Sequence, residues 1–290
     1  MSLVIRSRLG FATGDTARRK FKIDPLLYGD TEGVRFALDL QKFSYSGPAS
    51  PANNQSIFDI AMNANATMKV QPGSTVTRAG NGFAFYGTSV PSDYIEIPAS
   101  VAADIQTSQN FLIGMNIRLP TEAEWISATP FVAPILTWSD SAAGWPTAEL
   151  LMISMTAYGG VKRVNFTRQT AANVVQDVGL QPATADFGGM VQLGYWRNAD
   201  GIGFRIKSEN GLVFATDVRG ADNSLNFSAQ KGKFGIGPAY WPGVLAGGPK
   251  TASNYRIHRL FIENLGKSNR DPIAVLNRDY ARTKSRAVFS

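Results

Sequence analysis

The sequence predicts an all-β fold, a two-sheet antiparallel sandwich with a short C-terminal helix and an N-terminal arm. Three observations carry this. Apolar residues recur at every second position along most of the chain, the spacing that puts alternate side chains on opposite faces of a strand. Turn-forming pairs, among them Asn81-Gly82, Asp200-Gly201 and Asn210-Gly211, separate these runs. Helical periodicity is scarce.

The first clear strand is Val34, Phe36, Leu38 and Leu40, alternating with Arg35, Ala37, Asp39 and Gln41. Runs of the same character follow at 83–86 and 94–97. The longest alternation places Phe111, Ile113, Met115, Ile117 and Leu119 on one row, against Leu112, Gly114, Asn116 and Arg118. Shorter runs at 150–155, 163–166 and 191–196 lead to Ile202, Phe204 and Ile206, which alternate with Gly203, Arg205 and Lys207. Strands at 212–216, 233–236 and 255–265 complete the series. In each, one row enters a core and the other faces solvent or a second layer. Asn210-Gly211, between two such runs, predicts a type I′ hairpin with positive φ at both central residues. More than ten short strands of this kind favour a sandwich over a parallel α/β fold. One helix is expected after Asp271-Pro272, where Asp suits the N-cap and Pro the first helical position. Ile273, Leu276 and Tyr280 would then share a face.

Composition sets the limits. The chain has 290 residues, with 28 Gly, 15 Pro, one His and no Cys, and 44% are hydrophobic. That supports a sizeable core. Lack of Cys excludes a disulfide framework, a thiolate zinc site and a thiol nucleophile. No apolar run approaches the roughly 18 residues that would span a bilayer, so no membrane insertion is expected. The opening run Leu3-Val4-Ile5 is too short for a signal-peptide core.

The formal charge of +7 lies at the ends: residues 1–22 carry +5, residues 267–290 carry +4, and the rest sums to −2. We read residues 1–28 as a basic arm and 29–290 as the sandwich with a basic tail. Arg6, Arg8, Arg18, Arg19, Lys20 and Lys22, with Arg282, Lys284 and Arg286, are the candidate partner-docking residues. An acidic protein surface fits them better than nucleic acid, because no base-stacking aromatics are interleaved with these charges and no reader motif is present. Solvated termini and an arm that adds an edge strand are the alternatives.

Catalytic constellations are thin. His258 lies in Tyr255–Ile262, flanked by arginines, and reads as a packed structural histidine. No Gly-x-Ser-x-Gly elbow or phosphate-binding Gly-x-x-x-x-Gly-Lys loop accompanies it. A retaining glycosidase needs two carboxylates about 5 Å apart. Glu122 and Glu124 have the spacing but follow Leu119-Pro120 in loop-like sequence, and Asp93 and Glu96 would face opposite sides. Asp140, Asp200 and Asp222 are isolated turn aspartates rather than a calcium cluster. No metal and no cofactor is expected. Gly232-Lys233-Phe234-Gly235-Ile236-Gly237 reads as close sheet packing. Sugars stack on exposed aromatic rings, so Trp138, Trp145, Trp196, Tyr240 and Trp241 are the candidate glycan contacts.

Gly82-Phe83-Ala84-Phe85-Tyr86-Gly87, Asp93-Tyr94-Ile95-Glu96-Ile97-Pro98, the strand 111–119 after a roughly twelve-residue connection, Asn210-Gly211, Phe234-Gly235-Ile236-Gly237 and the closing run 255–265 stand in a characteristic order. Over about 33–283 the chain resembles the concanavalin A-like lectin/glucanase superfamily in its laminin-G-like form. The resemblance implies a jelly roll of two curved sheets that binds a glycan or a protein. The glucanase Glu-x-Asp-x-x-Glu strand is absent, as are the Cys and calcium site of secreted animal versions. A binding or structural module, not an enzyme, is therefore expected. A looser resemblance is to virion proteins of tailed bacteriophages, which pair such a sandwich with a basic N-terminal arm and end in a motif like Ile262-Glu263-Asn264-Leu265 and Asp279-Tyr280. It implies a structural or adhesion protein of the tail, baseplate, fibre or capsid surface. Its partners would be other virion proteins and further copies of itself, with a host-surface glycan as another candidate. Its place would be the virion, assembled in host cytoplasm, and glycan capture by a lectin module is the alternative function.

Overall fold

The structure is a computed structural model that describes residues 24–27, 33–40, 44–45, 47–79, 82–85, 93–125, 131–138, 145–235 and 255–286. It forms two antiparallel sheets of eight strands each. The strands are β1 (Val34–Asp39), β2 (Ser56–Ile57), β3 (Ala66–Lys69), β4 (Thr77–Ala79), β5 (Gly82–Phe85), β6 (Tyr94–Ile97), β7 (Phe111–Arg118) and β8 (Phe131–Thr137). They continue with β9 (Leu151–Tyr158), β10 (Val161–Ala171), β11 (Val174–Leu180), β12 (Met190–Arg197), β13 (Ile202–Lys207), β14 (Leu212–Asp217), β15 (Gly232–Phe234) and β16 (Tyr255–Asn264).

The first sheet runs β14-β13-β12-β7-β16-β5-β4, with β1 also paired to β16; the second runs β11-β10-β9-β8-β15-β6-β3-β2. The long alternating strand of the sequence, β7, and the closing strand, β16, lie side by side at the centre of the first sheet. Their inward rows meet Ile153, Met155, Val164 and Phe166 of the second sheet in the main core. Phe166 crosses the layers to Tyr195 and Phe204, with ring centroids 6.0 and 5.2 Å away. Each such ring contributes roughly 1.5–3 kcal/mol by leaving water.

β16 breaks its alternation once. Its register against β7 shifts between Ile257 and Arg259, so His258 is the extra residue of a bulge. The shift matters for the rest of the molecule. Ile257, Leu260 and Ile262 all enter the core, while Arg259 and Phe261 turn to the opposite face. His258 is buried, in keeping with a structural histidine.

The predicted turns at Asp200-Gly201 and Asn210-Gly211 fall in place, but by a different geometry, while Asn81 of the third lies outside the described residues. Ser208 N–H bonds Gly211 O at 3.0 Å, and Asn198 N–H bonds Gly201 O at 3.0 Å. Neither Glu209 nor Asn210 has positive φ, so the Asn210-Gly211 hairpin is not type I′. The Ser208 hydroxyl and the Asn198 side chain instead accept from the N–H two residues on, which shapes both turns.

Three helices are described: α1 (Ala99–Gln106), α2 (Leu265–Ser268) and α3 (Pro272–Arg286). α1 lies in the stretch read as a bare connection and buries Val101, Ala102 and Ile105. α3 starts where the sequence places it, because the Asp271 carboxylate accepts from Ile273 and Ala274 N–H at 3.0 and 3.2 Å. Its buried face is Val275, Leu276, Asp279, Tyr280 and Thr283. Ile273 is 41% exposed, so it is not part of that face.

α3 and the 3-10 turn Pro25–Leu27 cover the outer face of the first sheet. Leu26, Leu112, Trp196, Phe261, Val275 and Leu276 form a second apolar cluster there. Residues 24–27, assigned by the sequence to the arm, thus belong to the body. Asp24 and Leu26 hold them, the first by ion pairs and the second by burial.

Candidate functional site

The most elaborate polar assembly among the described residues sits on that outer face. Residues 116 and 192 occupy outward positions of β7 and β12, and the bulge in β16 turns Arg259 the same way. Arg259 is 1% exposed and faces three carboxylates. Its Nε donates to Asp279 Oδ1 at 2.8 Å, and its Nη1 to Asp24 Oδ2 at 2.9 Å and Asp39 Oδ2 at 3.3 Å. Nη2 adds a second bond to Asp24, at 3.3 Å to Oδ1. This fork-to-fork pairing suits the planar guanidinium.

The second oxygen of Asp279 accepts from Asn116 Nδ2 at 3.1 Å and Gln192 Nε2 at 3.2 Å. Gln192 Oε1 accepts in turn from Arg205, whose Nη1 reaches Asn277 Oδ1 at 2.8 Å. Asp24 also accepts from Leu26 N–H at 2.9 Å and from Arg282. Alongside, Arg270 pairs with the buried Glu263 and donates to Leu26 O at 3.0 Å.

At Asp24 and Arg259 burial opposes the charge and pairing outweighs it, whereas at Arg205 burial wins and brings the guanidinium down to about 10. Desolvation pushes the Asp24 carboxyl up, but the Arg259 charge and the bonds from Arg282, Arg259 and Leu26 N–H bring it down to about 2. Arg259 is likewise disfavoured by burial and held above its ordinary value by Asp279, Asp24 and Asp39. A buried charge left without its partner costs about 3–5 kcal/mol. The cluster therefore acts as a clasp: Asp24 near the start of the chain, Arg259 in the central strand and Asp279 and Arg282 in α3 hold one another. A cleft beside it is lined by Pro25, Leu26, Arg270, Arg278, Asp279 and Arg282.

The sequence candidates fare unevenly. Trp138 is fully buried in the main core, where a side chain at Gly232 would begin 2.6 Å from its ring. Trp145 is buried with Val132 and Met152, and Trp196 beneath α3. None of these three offers a ring face to a sugar, which corrects their assignment as glycan contacts. Exposed rings among the described residues include Phe58, 39% exposed, and Phe214, 47% exposed and stacked on Trp196 at 5.8 Å. Tyr240 and Trp241 lie outside the described residues.

Among the docking candidates, Arg282 is engaged with Asp24 of its own chain, which corrects its reading as a free docking residue. Lys284 pairs with Glu209 at 3.1 Å on the surface. Arg6, Arg8, Arg18, Arg19, Lys20, Lys22 and the side chain of Arg286 lie outside the described residues.

The carboxylates weighed for catalysis are dispersed. Glu122 pairs with Lys162, Glu124 accepts from Thr121 N–H at 2.8 Å, Glu96 pairs with Lys231 and Asp222 with Arg197 and Arg219. Among the described residues no group of three or more His, Asp or Glu is placed to hold a metal ion. No described helix is long and apolar enough to cross a membrane.

Asp24, Asp39, Arg259 and Asp279 were not singled out as a site by the sequence. The available signal was the outward row of β7 and β12, where Asn116 and Gln192 stand beside Leu112, Gly114, Gly194 and Trp196.

No protein-family model matches the sequence, and no curated protein matches it. Solved structures do resemble it. One is the CBM2 module of the Lactobacillus casei BL23 phage J-1 evolved Dit, at 13% identity and a TM-score of 0.42, covering 80% of this chain and 95% of that one. Another is Trypanosoma rangeli sialidase, at 14% identity and a TM-score of 0.49, covering 85% of this chain but only 33% of the sialidase. A third is an alginate lyase from Pseudomonas aeruginosa, at 11% identity and a TM-score of 0.40, covering 65% of this chain and 85% of the lyase. These are likenesses of a β-sandwich, not of a family. Two of the three are enzymes, so the expectation that the chain is not an enzyme does not stand; the fold gives no ground for excluding catalysis.

Proposed function

We propose that the chain is a structural component of a bacteriophage particle that attaches to other virion proteins through a basic pole and carries its sandwich away from them. The observation that carries this reading is the contact between Asp24 and Arg282. It ties Asp24, which follows the +5 segment 1–22 in sequence, to α3 of the +4 segment 267–290. Concentrated charge of one sign steers association with an acidic surface. Glycan capture now rests on Tyr240 and Trp241 alone.

The test is co-sedimentation. In a density gradient of particles from the producing host, the chain should travel with intact virions at physiological salt and be released at high salt. A chain that stays with the soluble protein at the top of the gradient contradicts the proposal.

A further inference from the structure

Eight large apolar side chains are exposed among the described residues, and five of them, Val174, Val175, Leu212, Phe214 and Val218, lie on or next to two strands. Among the described residues those strands, β11 and β14, are each outermost in their sheet. They meet on one side of the sandwich, where Gln176 Nε2 donates to Asp217 Oδ2 at 2.7 Å and to Val218 O at 3.3 Å. Open edges are usually guarded by Lys, Pro or a bulge. β14 reads Leu-Val-Phe-Ala-Thr-Asp, with none of these, and pairs with β13 over six residues without a register shift. An unguarded straight edge beside an apolar patch is built to be covered.

We infer that the occupant is a second copy of this chain, added edge to edge through β14 so that one continuous sheet passes through both copies. A two-fold axis normal to the sheet keeps its faces matched, and it requires the axis to pass through a residue rather than between two. Centred on Phe214, the pairing sets Phe214 against its own counterpart, Leu212 against Thr216 of the second copy, and Val213 against Ala215. Aromatic cross-strand pairs of this kind are favourable. Charge selects the same register. Asp217 falls opposite Gly211, not opposite another acid, and beyond the strand ends the antiparallel arrangement brings the loop that carries Arg219 of each copy toward the turn that carries Glu209 of the other. Within one copy Glu209, 65% exposed at its side chain, pairs with Lys284, and Arg219, 30% exposed, with Asp222, so opposite charges face each other across the two ends of the seam.

Sedimentation velocity of the full chain across a dilution series tests this. The native chain should show a reversible dimer. Phe214→Asp, which opposes two carboxylates at the axis, should raise the dimer dissociation constant roughly tenfold or more. Leu212→Asp, which leaves the Phe214–Trp196 stack intact, should also weaken the dimer, and circular dichroism should show both variants folded. Since the chain has no Cys, Phe214→Cys should cross-link copies through a short thiol-reactive linker, whereas Phe58→Cys, exposed elsewhere, should not. A native chain that is monomeric throughout, a dimer indifferent to Phe214→Asp, or equal cross-linking at both cysteines overturns the proposal.

Discussion

Gly114 of β7 and Gly194 of β12 are register partners, and Leu276 of α3 rests over the two of them. A Cβ at Gly194 would sit 2.7 Å from Leu276 Cδ1, and one at Gly114 would meet the Phe261 ring and lie 3.0 Å from Leu276 Cδ2. The paired glycines lower the sheet surface by a methyl on each strand, which lets the helix approach closely enough to seal the ion cluster beside it.

Gly194→Ala should therefore lift α3 from the sheet and cost about 1–3 kcal/mol as overpacking. Thermal melting checks this. A variant as stable as the native chain would mean that the helix is not seated on this pair.

Much of the sandwich is legible in the sequence because its signal is local. β7, β12 and β13 each show an unbroken two-residue period, and their inner rows are the core rows. The elements that escaped are those whose signal is weak or broken. β8 carries Pro134, which sits at a register shift against β9, and a proline in a run argues against a strand. α1 is eight residues long and has no side-chain cap. The clasp escaped for another reason: Asp24 and Arg259 are 235 positions apart, and no local pattern reports which polar residue a fold will bury. The tryptophans were misread because a loop-like sequence around Trp145 says nothing of the Val132–Met152 surface that covers it.

Asp279→Asn keeps the shape of the side chain and removes its charge from Arg259. The expected loss is about 3 kcal/mol, since Arg259 then keeps its burial with fewer counter-charges. Urea unfolding of the two proteins measures it. Loss below about 0.5 kcal/mol, the size of an exposed pair, would place the cluster among surface interactions.

Acid should loosen the clasp through Asp24. Its carboxyl titrates at about 2 when folded against an ordinary 3.8. Its contribution, about 2 kcal/mol, is complete above the unfolded value and fades as pH falls toward the folded one. Asp59 and Asp177, pushed up by burial, shift stability in the opposite sense, so the informative quantity is the difference from Asp24→Asn. That difference should be about 2 kcal/mol at neutral pH and shrink toward zero near pH 2. A difference independent of pH would exclude an ionic role for Asp24.

Trp138→Ala should lower stability by about 3–5 kcal/mol, as expected for a large ring removed from a filled core. Melting temperature reports it. A Trp138→Ala protein with native stability and lost sugar binding would restore the ring as a ligand platform.

Attachment through the basic pole is tested most directly by charge neutralisation. Replacing Arg18, Arg19, Lys20 and Lys22 by Gln removes four of the basic charges of residues 1–22, and the amount of chain incorporated into purified particles can be quantified by mass spectrometry. The account predicts a variant that melts like the native chain yet is largely missing from particles. Incorporation at the native level would contradict it.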